Sequence, residues 1–145
     1  MAEETASARQ TEIVLLYCRQ TLAPEAKPAE GVHQGEGFSA KLVVLPCSSK
    51  MQVQHLLRIL EEGFDAIQIV ACPEKACRFL VGSNRAQRRV DRARGLLEQV
   101  GMGAERLGLE RASGLEPDDL MKLAGRRAEQ VRELGPNPMK GDNRR

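Results

Sequence analysis

The chain has 145 residues, the length of one ordinary domain, which leaves little room for a second. Its 22 Lys and Arg residues nearly balance its 20 Asp and Glu residues, and the net charge of +2 excludes a histone-like composition. A hydrophobic content of 41% excludes wholesale disorder, whereas an aromatic content of 3% argues against base-stacking platforms, so we expect no nucleic-acid partner.

The predicted location of the protein is the cytoplasm. No apolar run approaches the ~20 residues that cross a bilayer, so we expect no membrane span. The acidic start, residues 1–5, lacks the basic and apolar regions of a secretory signal. In a reducing compartment, cysteines are interpreted as metal ligands, redox groups or small buried residues before disulfides. The chain has four of them: Cys18, Cys47, Cys72 and Cys77.

The first half of the chain predicts two buried strands separated by a long loop. Residues 1–10 are small and polar, and we expect a flexible N-terminus there. Apolar runs without alternation, typical of strands covered on both faces, occur at 13–18 and 41–47. Between them, residues 19–39 are rich in Pro and Gly, which predicts a loop long enough to be functional.

The middle of the chain predicts two helices around a third strand. Apolar residues at helical spacing over 51–64 predict a helix that Ser48 or Ser49 could cap. Residues 66–72 form the third apolar run. A second helix is expected over 83–100, with four residues on its inner side: Val90, Leu96, Leu97 and Val100.

The last third predicts a shorter strand over 106–111 and a helix over 116–134, followed by a polar tail over 135–145. Glu116, Pro117 and two further acids suit a helix N-terminus. Strands that alternate with helices predict a parallel sheet. We therefore expect one α/β domain over residues 11–134, a small parallel sheet of about four strands flanked by helices.

The cysteines fall at the predicted strand ends. Cys18, Cys47 and Cys72 each end one of the first three strands, and Cys77 follows in the next loop. Because the carboxyl ends of parallel strands meet at one edge of a sheet, these thiols are expected to converge there. The positions predict a tetrathiolate site for a metal ion or cluster at this edge.

Other interpretations of the cysteines stay open. Single cysteines are often small buried residues, although placement at successive strand ends favours a shared site. Zinc is an alternative, but structural zinc sites usually use two short cysteine knuckles, and this chain has one Cys-x4-Cys and two distant cysteines. A third alternative is a thiol redox pair of Cys72 and Cys77, without the Cys-x-x-Cys spacing of common redox motifs.

A second candidate feature is basic. Four arginines lie at positions i, i+3, i+4 and i+7 of the second predicted helix and share one face: Arg85, Arg88, Arg89 and Arg92. Such a face is either simply solvated or a docking surface for an acidic partner. We predict docking. The chain has no nucleotide-binding glycine motif and no convincing acid–base pair, so independent catalysis is not expected.

Several segments form a recognisable set: Cys72-Pro-Glu-Lys-Ala-Cys77, the following Gly82-Ser-Asn84-Arg-Ala86-Gln-Arg88-Arg89-Val90, and the segments 61–66 and 101–111. Together they resemble the delta subunit of methyl-viologen-reducing hydrogenase, an iron–sulfur family. The resemblance covers roughly residues 11–113 and includes Cys18 and Cys47 after their strands. The chain has Thr21 where the family usually has a second cysteine after strand one.

The resemblance implies a 2Fe–2S cluster held by Cys18, Cys47, Cys72 and Cys77. It also implies a non-catalytic electron-transfer subunit that works between two larger partners. One partner would be a hydrogenase, dehydrogenase or reductase module, and the other a heterodisulfide-reductase-like flavin subunit. The alternatives to this function are a zinc-stabilised adaptor protein and a thiol redox protein using Cys72 and Cys77.

One arginine is predicted to tune the cluster. Arg78 directly follows Cys77, a ligand in the set that the resemblance implies. A positive charge close to a cluster favours the reduced state, so we expect Arg78 to raise the reduction potential.

Overall fold

The structure, a computed structural model, describes residues 10–46, 51–73 and 82–140. Short 3-10 helices occur at Arg19–Thr21, Ala104–Arg106 and Pro138–Lys140. The longer elements, in chain order, are β1 Thr11–Cys18, β2 Gly31–Gln34, β3 Phe38–Leu45, α1 Val53–Glu61, β4 Ala66–Ala71, α2 Gly82–Gln99, β5 Leu107–Arg111 and α3 Pro117–Arg132. The predicted α/β class and the four parallel strands are confirmed.

The strands form one sheet in the order β2-β3-β1-β4-β5. β1 is central and pairs in parallel with both β3 and β4, and β5 continues the parallel ladder beyond β4. The chain runs from β1 to β3 on one side and then crosses to β4 on the other. The order of connection therefore reverses between β1 and β4, and parallel sheets bind ligands outside the carboxyl ends at such a switch point.

Helices cover both faces of the sheet. One face of β1 carries Ile13, Leu15 and Tyr17, which pack in a cluster with the apolar side of α3. The other face carries Val14 and Leu16, which pack in a second cluster with residues of α1 and α2. This covering on both faces explains why the strands are continuous apolar runs without alternation.

The segment 19–39 differs from the predicted loop because it contains β2. This strand pairs antiparallel with β3, and all four of its residues are exposed. Gly37 has φ +81° in the turn between them, a conformation that glycine adopts without strain. β2 lacks the apolar signal of a buried strand because it lies at the edge of the sheet.

Two helix details also differ from prediction. α1 begins at Val53 after Gln52, whose side chain forms a reciprocal capping box with His55; Ser48 and Ser49 lie outside the described residues. On α2, Leu96 and Val100 are 37% and 70% exposed instead of facing inward. The inner side of α2 consists of Ala86, Val90, Ala93 and Leu97. Among the described residues, no helix is long and apolar enough to span a membrane.

A buried polar network closes the amino edge of the sheet. The Asp65 carboxylate accepts hydrogen bonds from the backbone N–H groups of Glu12 and Asn137, both at 2.8 Å. Arg106 is 1% exposed and donates to the carbonyl of Asp65 and to the segment 134–136. Burial lowers the pKa of Arg106, and Asp65 opposes this shift. Part of the segment expected to be a polar tail is therefore built into the domain.

A second buried polar contact joins α3 to the sheet. Arg127 donates from Nε to Oε1 of Gln68 at 2.8 Å and from Nη1 to the carbonyl of Glu105 at 3.1 Å. Gly108 on β5 lies directly under the guanidinium, so that a Cβ there would collide with it. Burial lowers the pKa of Arg127, and the positive charge of Arg94 adds to this effect.

Candidate functional site

Two of the four cysteines meet at the switch point. Cys18 is the last residue of β1, and Cys72 directly follows β4, its parallel neighbour. Each is 1% exposed, and the two form a small buried cluster separate from the main cores. The structure thus brings together Cys18 and Cys72, which are 54 positions apart in sequence, at the predicted edge of the sheet.

The end of β3 also approaches Cys18. Leu45 lies level with Cys18 in the parallel register. The Sγ atom of Cys18 donates a long hydrogen bond of 3.9 Å to the carbonyl oxygen of Pro46. Cys47, the next residue, lies outside the described residues.

The structure does not describe the other residues predicted to hold or tune the cluster. These are Cys47, Cys77 and Arg78. Within the part that is described, no group of three or more His, Cys, Asp or Glu side chains is arranged to hold a metal ion. Two of the four predicted thiols can therefore be located, and they are adjacent.

The segment after Cys18 is held tightly against the rest of the domain. Thr21 is fully buried, and its hydroxyl donates to the carbonyl oxygen of Cys18 at 2.7 Å. The backbone of Leu115 donates to Thr21 and accepts from Ala23, at 2.9 and 2.8 Å. Thr21 thus fixes the backbone at Cys18. Its burial was not predicted, because the prolines and glycines of this segment indicated a loop.

Tyr17 fixes the same segment further along. Its buried hydroxyl donates to the carbonyl of Ala29 at 2.7 Å and accepts from the N–H of Ala29 at 2.8 Å. Burial raises the pKa of Tyr17 from its ordinary value of 10.0, although the hydrogen bond to Ala29 opposes this shift. The residue before Cys18 therefore anchors the following segment against the face of the sheet that α3 covers, where Leu22 and Ala29 also pack.

Cationic side chains flank this edge. Arg19 directly follows Cys18, and Arg111, at the end of β5, lies level with Ala71, the residue before Cys72. Arg111 also donates from Nη2 to Oδ1 of Asn84 at 3.2 Å. Positive charge here suits an anionic thiolate site. The sequence reasoning missed Arg111, although its place at the end of the fourth predicted strand was the available signal.

The four arginines predicted to share a face do line one groove. It lies between α1 and α2, has a volume of about 670 Å³, and includes Arg85, Arg88, Arg89 and Arg92 in its wall. Arg89 also donates to the carbonyl of Met51 at 2.8 Å, so it helps to join the two helices.

Fold and site together define an α/β protein with buried thiols at the carboxyl edge of a parallel sheet. The family model described as methyl-viologen-reducing hydrogenase, delta subunit, matches residues 13–135. The chain belongs to this family.

Curated relatives agree with this assignment. The chain is 31% identical over 102 residues to the iron-sulfur subunit of the F420-non-reducing hydrogenase vhu of Methanocaldococcus jannaschii, covering 70% of this chain and 76% of the relative. The corresponding protein of Methanopyrus kandleri is 29% identical over 128 residues, covering 88% and 97%. A more distant match, 22% identical over 90 residues, covers 62% of this chain and 11% of one component of a CoB-CoM heterodisulfide reductase of Methanosarcina acetivorans.

Proposed function

We propose that this protein is a non-catalytic electron-transfer subunit carrying one 2Fe–2S cluster. Its ligands would be Cys18, Cys47, Cys72 and Cys77. The observation that carries the proposal is the burial of Cys18 beside Cys72 at the switch point of the sheet. The names of the relatives, iron-sulfur subunits of hydrogenases, support the same class of cofactor.

The described donor set fits such a group. Cluster iron prefers thiolate sulfur, and both described thiols are buried together. Thr21 fixes the backbone at Cys18 through the hydrogen bond to its carbonyl oxygen, which would help to keep the sulfur in place. Arg19 and Arg111 supply positive charge at the same edge. When bound, the cluster would accept and release single electrons.

The proposed partners are two larger redox subunits: a donor oxidoreductase module of hydrogenase, dehydrogenase or reductase type, and a heterodisulfide-reductase-like flavin subunit. The relatives' names support a hydrogenase complex, and the distant match to one component of a heterodisulfide reductase supports the link to that enzyme. The protein's own residues would shield the cluster from water and hold it at a fixed distance from each partner.

The decisive measurement is iron, acid-labile sulfide and zinc per chain in the native complex, purified without oxygen. About two irons and two sulfides per chain, without zinc, are expected for one cluster. Zinc without sulfide would instead indicate a structural module, because zinc thiolate sites contain no sulfide. In a complex with several iron–sulfur subunits, the measurement is made on the difference between wild type and Cys18→Ser.

A double variant separates the cluster from a thiol redox pair. Replacing Cys18 and Cys47 by serine removes half of the proposed ligands, and we expect loss of both iron and electron transfer. A redox pair of Cys72 and Cys77 would keep its activity in this variant. Thr21→Ser is a matched control, since it retains the hydroxyl that bonds to Cys18 and removes no thiol.

A further inference from the structure

The groove between α1 and α2 continues beyond its four arginines. An adjoining apolar groove of about 530 Å³ follows the same two helices toward the C-terminal end of α2. Gln54, Leu57 and Leu96 line both parts. The surface is therefore one channel with a basic half and an apolar half, which we name the α1–α2 groove.

The basic half carries uncompensated charge. Arg85, Arg88 and Arg92 are exposed, and none of them pairs with a carboxylate in the part of the chain that the structure describes. The described lining of this half contains no Asp or Glu. The nearby acid on α2, Asp91, instead accepts a hydrogen bond from Gln87 at 2.9 Å. This half is complementary to a partner that carries carboxylates.

The apolar half exposes side chains that folding would otherwise bury. Four large hydrophobic side chains are exposed among the described residues, and Leu96 and Val100 both lie here, 37% and 70% exposed. Met102 and Met139 line the same part, and methionine adapts readily to an apolar surface placed on it. Contiguous exposed apolar surface of this kind is typical of protein–protein contacts.

The groove has a defined direction in the fold. α2 begins near the carboxyl edge of the sheet, where Asn84 bonds to Arg111, and it ends at the opposite edge before β5 begins. The basic half therefore lies toward the cysteines, and the apolar half lies away from them. From Arg85 to Gln99 the helix rises about 21 Å, roughly four helical turns, and Val100 follows it directly.

We propose that the α1–α2 groove binds an amphipathic helix of a partner protein, with carboxylates in the half nearer the cysteines and aliphatic side chains in the other. The inference deepens the proposed function by describing what the partner presents, but it uses no property of the cofactor. A nucleic acid would match the basic half only, since phosphates gain nothing from an apolar surface.

Site-specific photocrosslinking in the native complex tests this proposal. Benzoylphenylalanine replaces Arg88 in one variant and Val100 in another, and the crosslinked peptides are identified by mass spectrometry. We expect both positions to crosslink to one partner segment, with carboxylates near the site of Arg88 and aliphatic residues near that of Val100. The exposed Lys122 on α3 is the control position, where no such crosslink is expected.

Charge reversal gives an independent measurement. Arg85→Glu with Arg88→Glu is expected to raise the Kd of this chain for the rest of the complex by about tenfold, which corresponds to ~1.4 kcal/mol. Raising the salt concentration should weaken the wild-type complex more than this variant. Val100→Asp should cause a similar loss while leaving the salt dependence intact. Lys122→Glu with Arg126→Glu, on the exposed side of α3, is the matched control.

Several outcomes would overturn the proposal. They are crosslinks to a second copy of this chain, to a nucleic acid or to two unrelated segments, and an unchanged complex after charge reversal. The two proposals fail separately. A complex that crosslinks as expected but lacks iron and sulfide would refute the cluster alone, whereas iron and sulfide without these crosslinks would refute the groove alone.

Discussion

Arg111 and Asn84 join the end of β5 to the first turn of α2, through a hydrogen bond of 3.2 Å from Nη2 to Oδ1. The residue level with Arg111 in the sheet is Ala71, directly before Cys72. The contact therefore ties the start of α2 to the strand beside the cysteines.

Asn84→Ala is expected to reduce stability by about 1 kcal/mol, because Arg111 loses its acceptor. If the proposed cluster is bound, we also expect faster release of its iron to a chelator, since the start of α2 is no longer tied to β5. Urea unfolding and the rate of iron release measure the two effects. Gln87→Ala, which removes a hydrogen bond to Asp91 on the same helix, is the control and should leave iron release unchanged.

Arg78→Gln is expected to lower the reduction potential of the proposed cluster. Removing a positive charge beside a ligand disfavours the reduced state, which carries more negative charge. Redox titration followed by electron paramagnetic resonance measures the midpoint. Arg126→Gln, on α3, is the control with the same change in charge. An unchanged or higher midpoint in Arg78→Gln would contradict the role assigned to Arg78.

The raised pKa of Tyr17 predicts that the free energy of unfolding decreases as the pH rises into the alkaline range. Burial raises the pKa of Tyr17 above its ordinary value of 10.0. Between pH 10 and the pKa of the folded protein, Tyr17 therefore keeps its phenol proton in the folded state and loses it in the unfolded chain. The stabilisation from this proton is complete below pH 10 and is lost as the pH rises through the folded-state pKa.

Tyr17→Phe removes this dependence and both hydrogen bonds to Ala29, at a cost of about 1 kcal/mol at pH 8. The difference in free energy of unfolding between the two proteins should shrink above pH 10. Urea unfolding at a series of pH values provides the comparison. Tyr17 is the single tyrosine and the chain has no tryptophan, so difference absorbance follows its ionisation directly. Parallel pH profiles would refute the assignment.

Gly108→Ala is expected to destabilise the protein by about 2 kcal/mol or more, because the new Cβ displaces a buried guanidinium from its acceptors. The affected group is Arg127, which loses its contacts with Gln68 and Glu105. Gly95→Ala is the matched control. It lies in α2 with open space around it, and should instead stabilise by roughly 0.5–1 kcal/mol through helix propensity. Equal effects of the two changes would contradict this interpretation.

Much of the fold could be predicted because buried parallel strands leave a strong apolar signal. β1, β3, β4 and β5 follow from that signal, and α3 follows from its proline and acids. β2 could not be predicted in this way, since an exposed edge strand is held by backbone hydrogen bonds to β3 and needs no apolar side chains.

Buried polar contacts between distant parts of the chain were a second feature that the sequence could not predict. Arg106 and Asn137 are held by carbonyl groups from distant parts of the chain, which no local pattern indicates. Arg127 did leave a signal, because helical spacing places it on the inner side of α3 with Leu120, Ala124, Ala128 and Val131. For the candidate site, position at strand ends predicted that four thiols would converge, and the structure describes two of them, Cys18 and Cys72, which are buried together. The roles of all four cysteines stay predictions.

The Asp65 carboxylate has a consequence for biosynthesis. Its two oxygens receive N–H groups from Glu12 and Asn137, so this one side chain joins the first strand to a residue near the end of the described chain. While the ribosome still holds residue 137, the central strand cannot complete its contacts at the amino edge. We therefore expect that the amino edge of the domain closes only after residue 137 has emerged from the ribosome, so that the central strand waits for a residue translated 125 positions after Glu12.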